Sequence, residues 1–137
     1  MAGCGSPAVS VPGPSPDSGQ RAECSRLMSE LPAQVGGQQR RGVEPADVLA
    51  AAWGDPPILL RCGVAKPAGL TAYARCDSVN GVDWFTRRTA TGYEFTTIGR
   101  AAYVEVRVPT SYVPAADALV DLATAVKRTL KIVAPCV

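Results

Sequence analysis

The stretch VDWFTRRTATGYEFTTIGRAAYVEVRV, residues 82–108, decides the fold. Val82, Trp84 and Thr86 alternate with Asp83, Phe85 and Arg87, which is the two-residue period of a β-strand. Thr91-Gly92 supplies turn chemistry and leads into Tyr93 to Ile98, so the pattern predicts an antiparallel hairpin. After Gly99-Arg100, Val104, Val106 and Val108 point one way while Tyr103, Glu105 and Arg107 point the other. That alternation predicts a half-buried strand with a wet polar face.

Outward from this stretch, the apolar runs Val48 to Trp53 and Ile58 to Cys62 flank Gly54-Asp55-Pro56-Pro57, a hairpin or a corner. Residues 33–45 are polar and contain glycine, which predicts a loop. Arg21 to Leu31 reads as a helix with Ala22, Leu27 and Leu31 on one side and Pro32 as its stop. A second, amphipathic helix is expected from Ala115 to Lys131, with Leu119, Leu122, Ala123, Val126 and Leu130 at helical spacing. Asp117 and Asp121 lie near its positive end, and Lys127, Arg128 and Lys131 near its negative end. The order helix, about five strands, helix predicts one α+β domain over residues 21–137. Its antiparallel sheet should carry the N- and C-terminal helices on one face.

Residues 1–20 differ in kind. Ala2-Gly3-Cys4-Gly5-Ser6 resembles the end of a bacterial lipoprotein signal, in which small residues precede a cysteine that becomes lipidated. Such signals carry a basic region and about 7 to 15 apolar residues before the cleavage site, so the natural precursor is expected to hold one ahead of Cys4. Pro7, Pro12, Pro14 and Pro16 among Gly, Ser and Val read as a tether that cannot bury a core. Fully extended, its sixteen residues would lift the domain roughly 50 Å from lipid headgroups.

Five cysteines and no histidine complete the frame. Setting Cys4 aside, Cys24, Cys62, Cys76 and Cys136 are an even number, as two disulfides in an oxidising compartment require. Three pairings are possible. The Gly- and Pro-containing loop between them favours Cys62 with Cys76, leaving Cys24 with Cys136 to tie the first helix to the C-terminus. Without histidine or a CxxC pair there is no metal-ligand spacing, and neither a metal nor another cofactor is expected.

Composition excludes other classes. A net charge of +2, with Arg40-Arg41 and Arg87-Arg88 as isolated basic pairs, provides no field for nucleic acid. The longest apolar run, Val48 to Trp53, falls far short of the roughly 20 residues of a membrane span, so only a lipid on Cys4 would join the chain to a membrane.

For catalysis, the absence of histidine removes Ser-His and Cys-His nucleophile systems. The remaining carboxylates near the turns are Asp55, Asp77, Asp83 and Glu94, and their residue contexts suit turns and cross-strand pairs better than acid–base work. No catalytic residue is assigned. For binding, Trp53, Arg61, Trp84 and Arg100, with Tyr103 and Tyr112 nearby in type, are the side chains that dominate interface hot spots. The two tryptophans suit a core as well. The expected role is a non-catalytic binding or adaptor module whose face holds Trp53, Arg61, Trp84 and Arg100. The alternatives are a carrier of a small apolar ligand or lipid and a carboxylate-dependent cell-wall enzyme.

The run Ala52 to Gly63, with Val79-Asn80-Gly81-Val82-Asp83-Trp84 and Phe95-Thr96-Thr97-Ile98-Gly99-Arg100, resembles the actinobacterial domain-of-unknown-function family 3515. The similarity spans roughly Cys24 to Cys136, where Trp, Gly, Pro and Cys recur in fixed order. It implies an extracytoplasmic, secreted or lipid-anchored protein with disulfides, whose partner is an envelope protein or cell-wall component. It implies no activity.

Overall fold

The computed structural model describes residues 7–136. In chain order the elements are β1 (Val9–Ser10), α1 (Ser18–Glu30), β2 (Gln34–Val35), β3 (Gln38–Arg41), β4 (Val43–Glu44), β5 (Ala50–Trp53) and β6 (Ile58–Cys62). Then follow β7 (Asp77–Val79), β8 (Val82–Arg88), β9 (Gly92–Thr97), β10 (Val104–Pro109) and α2 (Ala116–Thr129). Eight strands form one antiparallel sheet in the order β2-β3-β5-β6-β10-β9-β8-β7, and β1 pairs with β4 as a separate parallel ribbon. The sheet exceeds the five strands expected because β2, β3 and β7 are short and polar. Between them they hold two apolar side chains, the fully buried Val35 and the core-packed Val79, too few to show an apolar alternation.

Register fixes which side chains meet the helices. Trp53 stands opposite Ile58, Leu60 opposite Val106, Phe95 opposite Val106 and Trp84 opposite Thr97. These join Leu27 of α1 and Leu119, Leu122 and Val126 of α2 in one core, so both helices cover the same face, as predicted. Each fully buried large side chain contributes on the order of 2 kcal/mol of transfer free energy. The helix α2 has Asp117 in its first turn and Lys127 and Arg128 in its last, complementing its dipole. Helix α1 starts at Ser18, where the Asp17 carboxylate accepts from the Gln20 N–H at 2.8 Å. It buries only Cys24 and Leu27.

The disulfides are Cys24–Cys62 and Cys76–Cys136, with Cα atoms 5.6 and 6.4 Å apart, and they correct the pairing expected from loop composition. The reason is topological. Cys62 ends β6 and Cys76 leads into β7, and β10, β9 and β8 lie between those strands. Four strand spacings make roughly 19 Å, beyond the reach of a disulfide. The loop from Gly63 to Cys76 crosses the sheet to bridge that distance, with Gly69 packed on the Phe85 ring.

The sheet face away from the helices is not simply wet. Across β6, β10, β9 and β8 runs a ladder of ion pairs: Arg61 with Glu105, Arg107 with both Glu105 and Glu94, and Arg87 with Glu94. Both carboxylates are buried beneath their arginines. The rest of this face, over Ala50 and Ala52, is covered by residues 7–16, which belong to the expected tether. The Val9 and Val11 N–H groups donate to Gly42 and Glu44 carbonyls, and Arg41 and Arg61 donate to the carbonyls of Pro7 and Pro12. Val11 and Pro16 are buried. This segment is therefore a strap on the domain. Cys4 and the residues before Pro7 lie outside the described residues.

Candidate binding cleft at the disulfide end of the sheet

The four residues expected to share a binding face do not share one. Trp53 and Trp84 are 0% exposed. The Trp53 indole N–H donates to the Pro32 carbonyl at 3.0 Å beneath the Arg40 guanidinium, whereas the Trp84 N–H has no acceptor among the described residues. Arg61 lies on the opposite side of the sheet in the ion-pair ladder. Arg100 donates to the Leu130 and Gly81 carbonyls at 2.8 and 3.1 Å, closing the end of α2. Burial lowers the Arg100 guanidinium from its ordinary value, while the Asp83 carboxylate pulls it up. Trp84 occupies an inward position of the alternating strand β8, a signal present in the sequence, whereas Trp53 ends β5, a strand buried at every position.

The candidate carboxylates are likewise dispersed. Asp55 approaches Arg41 at 3.9 Å, Asp77 accepts from Arg75 at 2.9 Å, and Glu94 accepts from Arg87 and Arg107 at 2.6 and 3.1 Å. These three do not share a site and each has a basic neighbour, whereas Asp83 makes no ion pair among the described residues and has only the longer-range attraction of Arg100. Among the described residues no group of three or more His, Cys, Asp or Glu could hold a metal ion.

A different set converges where β6 ends and β10 begins. The Gly63 and Val64 N–H groups donate to the Tyr103 carbonyl at 2.9 and 3.3 Å, which starts the crossing loop beside the β9–β10 turn. The C-terminal segment lies against the same turn: Ala101 donates to Lys131, and Val133 and Ala134 donate to Gly99 at 2.7 and 3.2 Å. Gly99 is required there, because its φ is +72° and a Cβ would overlap the Ala134 carbonyl. Cys136 then bonds to Cys76 and pins both segments together.

Between these segments run adjoining hollows of about 410, 400 and 150 Å³. The first two share Gln20, Lys66 and Tyr103, and the last two share Leu70, Ile98 and Pro135, so they form one open cleft. Lys66 makes no ion pair among the described residues. Among its lining side chains Val133 is exposed by 61%. A cleft with a free ammonium, a phenol, an amide and apolar rims can bind an extended polar or anionic group by charge and hydrogen bonds. Of the residues that line it, Arg61, Arg100 and Tyr103 were among the hot-spot candidates of the sequence, whereas Lys66 was not, because the loop that carries it has no periodicity.

The opposite end of the sheet, formed by the turns Gly54–Pro57 and Thr89–Thr91 and the segment Thr110–Ala115, holds a larger hollow of about 580 Å³. Its one charged lining residue, Arg107, is already committed to Glu94 and Glu105.

Fold and cleft together define a disulfide-crosslinked α+β domain with an open basic cleft and no assembled nucleophile–base pair among the described residues. The chain belongs to the family described as protein of unknown function (DUF3515), whose model matches residues 4–134. No curated protein and no solved structure matches it. No helix among the described residues is long and apolar enough to cross a membrane.

Proposed function

We infer that the domain is a non-catalytic binding module of the cell envelope, held to the outer face of the cytoplasmic membrane by a lipid on Cys4. Its partner is an envelope protein or cell-wall component that docks at the cleft around Lys66, Tyr103 and Val133. The cleft itself carries this reading: it gathers an unpaired cation with arginine and tyrosine side chains and an exposed valine, the composition of an interface hot spot with a polar surround. Two disulfides support an oxidising, extracytoplasmic location. The interior between sheet and helices is filled by the core, which disfavours a carrier of a buried apolar ligand.

The test is crosslinking of the lipidated protein in its own envelope, comparing wild type with Lys66→Glu and Val133→Asp. Both side chains are exposed, so thermal melts should match wild type. Loss of one specific crosslinked partner with unchanged melts is the expected result. Retention of every partner by both variants contradicts the cleft, and turnover of a purified cell-wall substrate contradicts the non-catalytic role.

A further inference from the structure

We propose that the anchored domain lies directly on the phospholipid surface with its hairpin-turn end down, so that the cleft is held away from the bilayer. The inference rests on the Cys4 anchor and on where the strap takes the chain. Arg41 donates from Nη1 to the Gly54 carbonyl and from Nη2 to the Pro7 carbonyl, both at 2.8 Å, which places Pro7 beside the β5–β6 turn. From there the strap runs along β6 to its other end, where buried Pro16 packs on Gly63. Gly63 has a φ of +90°, and a Cβ there would come within 2.6 Å of the Pro16 ring. A strap fixed at both ends leaves little tether. Cys4 precedes Pro7 by three residues, which span at most about 11 Å, against the roughly 50 Å available to an undocked segment.

The end next to Pro7 suits lipid. Its three connecting segments, Gly54–Pro57, Thr89–Thr91 and Thr110–Ala115, contain one charged residue, Asp55. They expose Pro56, Ala90, Pro114 and Val113, the last by 82%. The opposite end presents Lys66, Arg75 and Lys131. Exposed Arg88 and Asp117 flank these segments with opposite charges, so the end as a whole has little net charge, and seating by a short covalent link and apolar contact should be insensitive to salt.

In the oxidised protein Cys4 is the one thiol outside a disulfide. It can be coupled to a maleimide lipid in phosphatidylcholine/phosphatidylglycerol vesicles that also carry a nitroxide-labelled lipid. A fluorescent amino acid is placed at exposed Ala90 or at exposed Ala72 of the crossing loop. The expected result is several-fold stronger quenching at Ala90 than at Ala72, unchanged between low and high salt. Equal quenching, or stronger quenching at Ala72, overturns the orientation. Quenching at Ala90 that persists after a long Gly/Ser spacer is inserted following Ser6 overturns the short link as its cause. Chemical coupling replaces biological acylation, so failure here is distinct from failure of the Cys4 reading, which N-terminal mass spectrometry of the natural protein decides.

Discussion

The two ends of the sheet are stabilised by different means. At the hairpin-turn end the chain reverses tightly, and backbone bonds such as Thr89 to Gly92 at 2.8 Å and Thr110 to Thr91 at 2.9 Å close the turns. The Tyr112 hydroxyl adds a bond to the Pro56 carbonyl at 2.6 Å. No disulfide lies there. At the other end, a coil must cross from β6 to β7, and between residues 64 and 75 it holds itself by two backbone turn bonds, Leu70 to Pro67 and Ala74 to Thr71, and one long bond from the Tyr73 N–H to the Thr71 hydroxyl. Both disulfides sit at this end. Crosslinks therefore stand where local hydrogen bonding is sparse, and the cleft occupies the space that sparse packing leaves open.

If that contrast is right, the largest effect follows loss of the buried crosslink. Replacing Cys24 and Cys62 together by Ala should cost about 4 kcal/mol and lower Tm by roughly 15 °C. Helix α1 buries little else, so it should loosen first. Replacing Cys76 and Cys136 by Ser should cost less, about 2 kcal/mol. Loop length alone would rank the pair the other way, since 60 residues separate Cys76 from Cys136 and 38 separate Cys24 from Cys62. The smaller cost reflects local release of the C-terminal segment, and hydrogen exchange should accelerate at Ala101, Val133 and Ala134 while core amides stay protected. Equal global losses for the two double variants would erase the distinction.

In the middle of the sheet, Glu94→Gln keeps the shape but weakens bonds from Arg87 and Arg107. Those arginines are about half exposed and can turn to water. The expected cost is about 1–2 kcal/mol by denaturant titration. Smallest is Tyr112→Phe at the hairpin-turn end, about 0.5–1 kcal/mol. A loss there as large as that of the Cys24 and Cys62 variant would show that a single side-chain bond, not the turns, closes this end.

Much of this fold was legible. The alternation in Val82–Thr86 and Val104–Val108 located β8 and β10, the Thr91-Gly92 turn located the hairpin, and the apolar stripe of Leu119, Leu122 and Val126 located α2. Periodicity reports burial, and these elements are buried on one side. The strands Gln34–Val35 and Gln38–Arg41 escaped notice because one buried valine, Val35, among polar side chains leaves no periodic trace. The strap escaped because a Pro-rich composition describes what cannot build a core, not what can lie on one. The even cysteine count implied two disulfides, but pairing depends on strand order, which proximity in sequence does not report. The cleft was least legible, since Lys66, Tyr103 and Val133 meet only through that order.

Non-reducing tryptic mapping of the oxidised protein tests the crosslinked end most directly. Trypsin places the four cysteines on separate peptides, Ala22–Arg26, Cys62–Arg75, Cys76–Arg87 and Ile132–Val137. The account predicts a linked species joining the first two and another joining the last two. A species joining Cys62–Arg75 to Cys76–Arg87, or four free thiols, would contradict it.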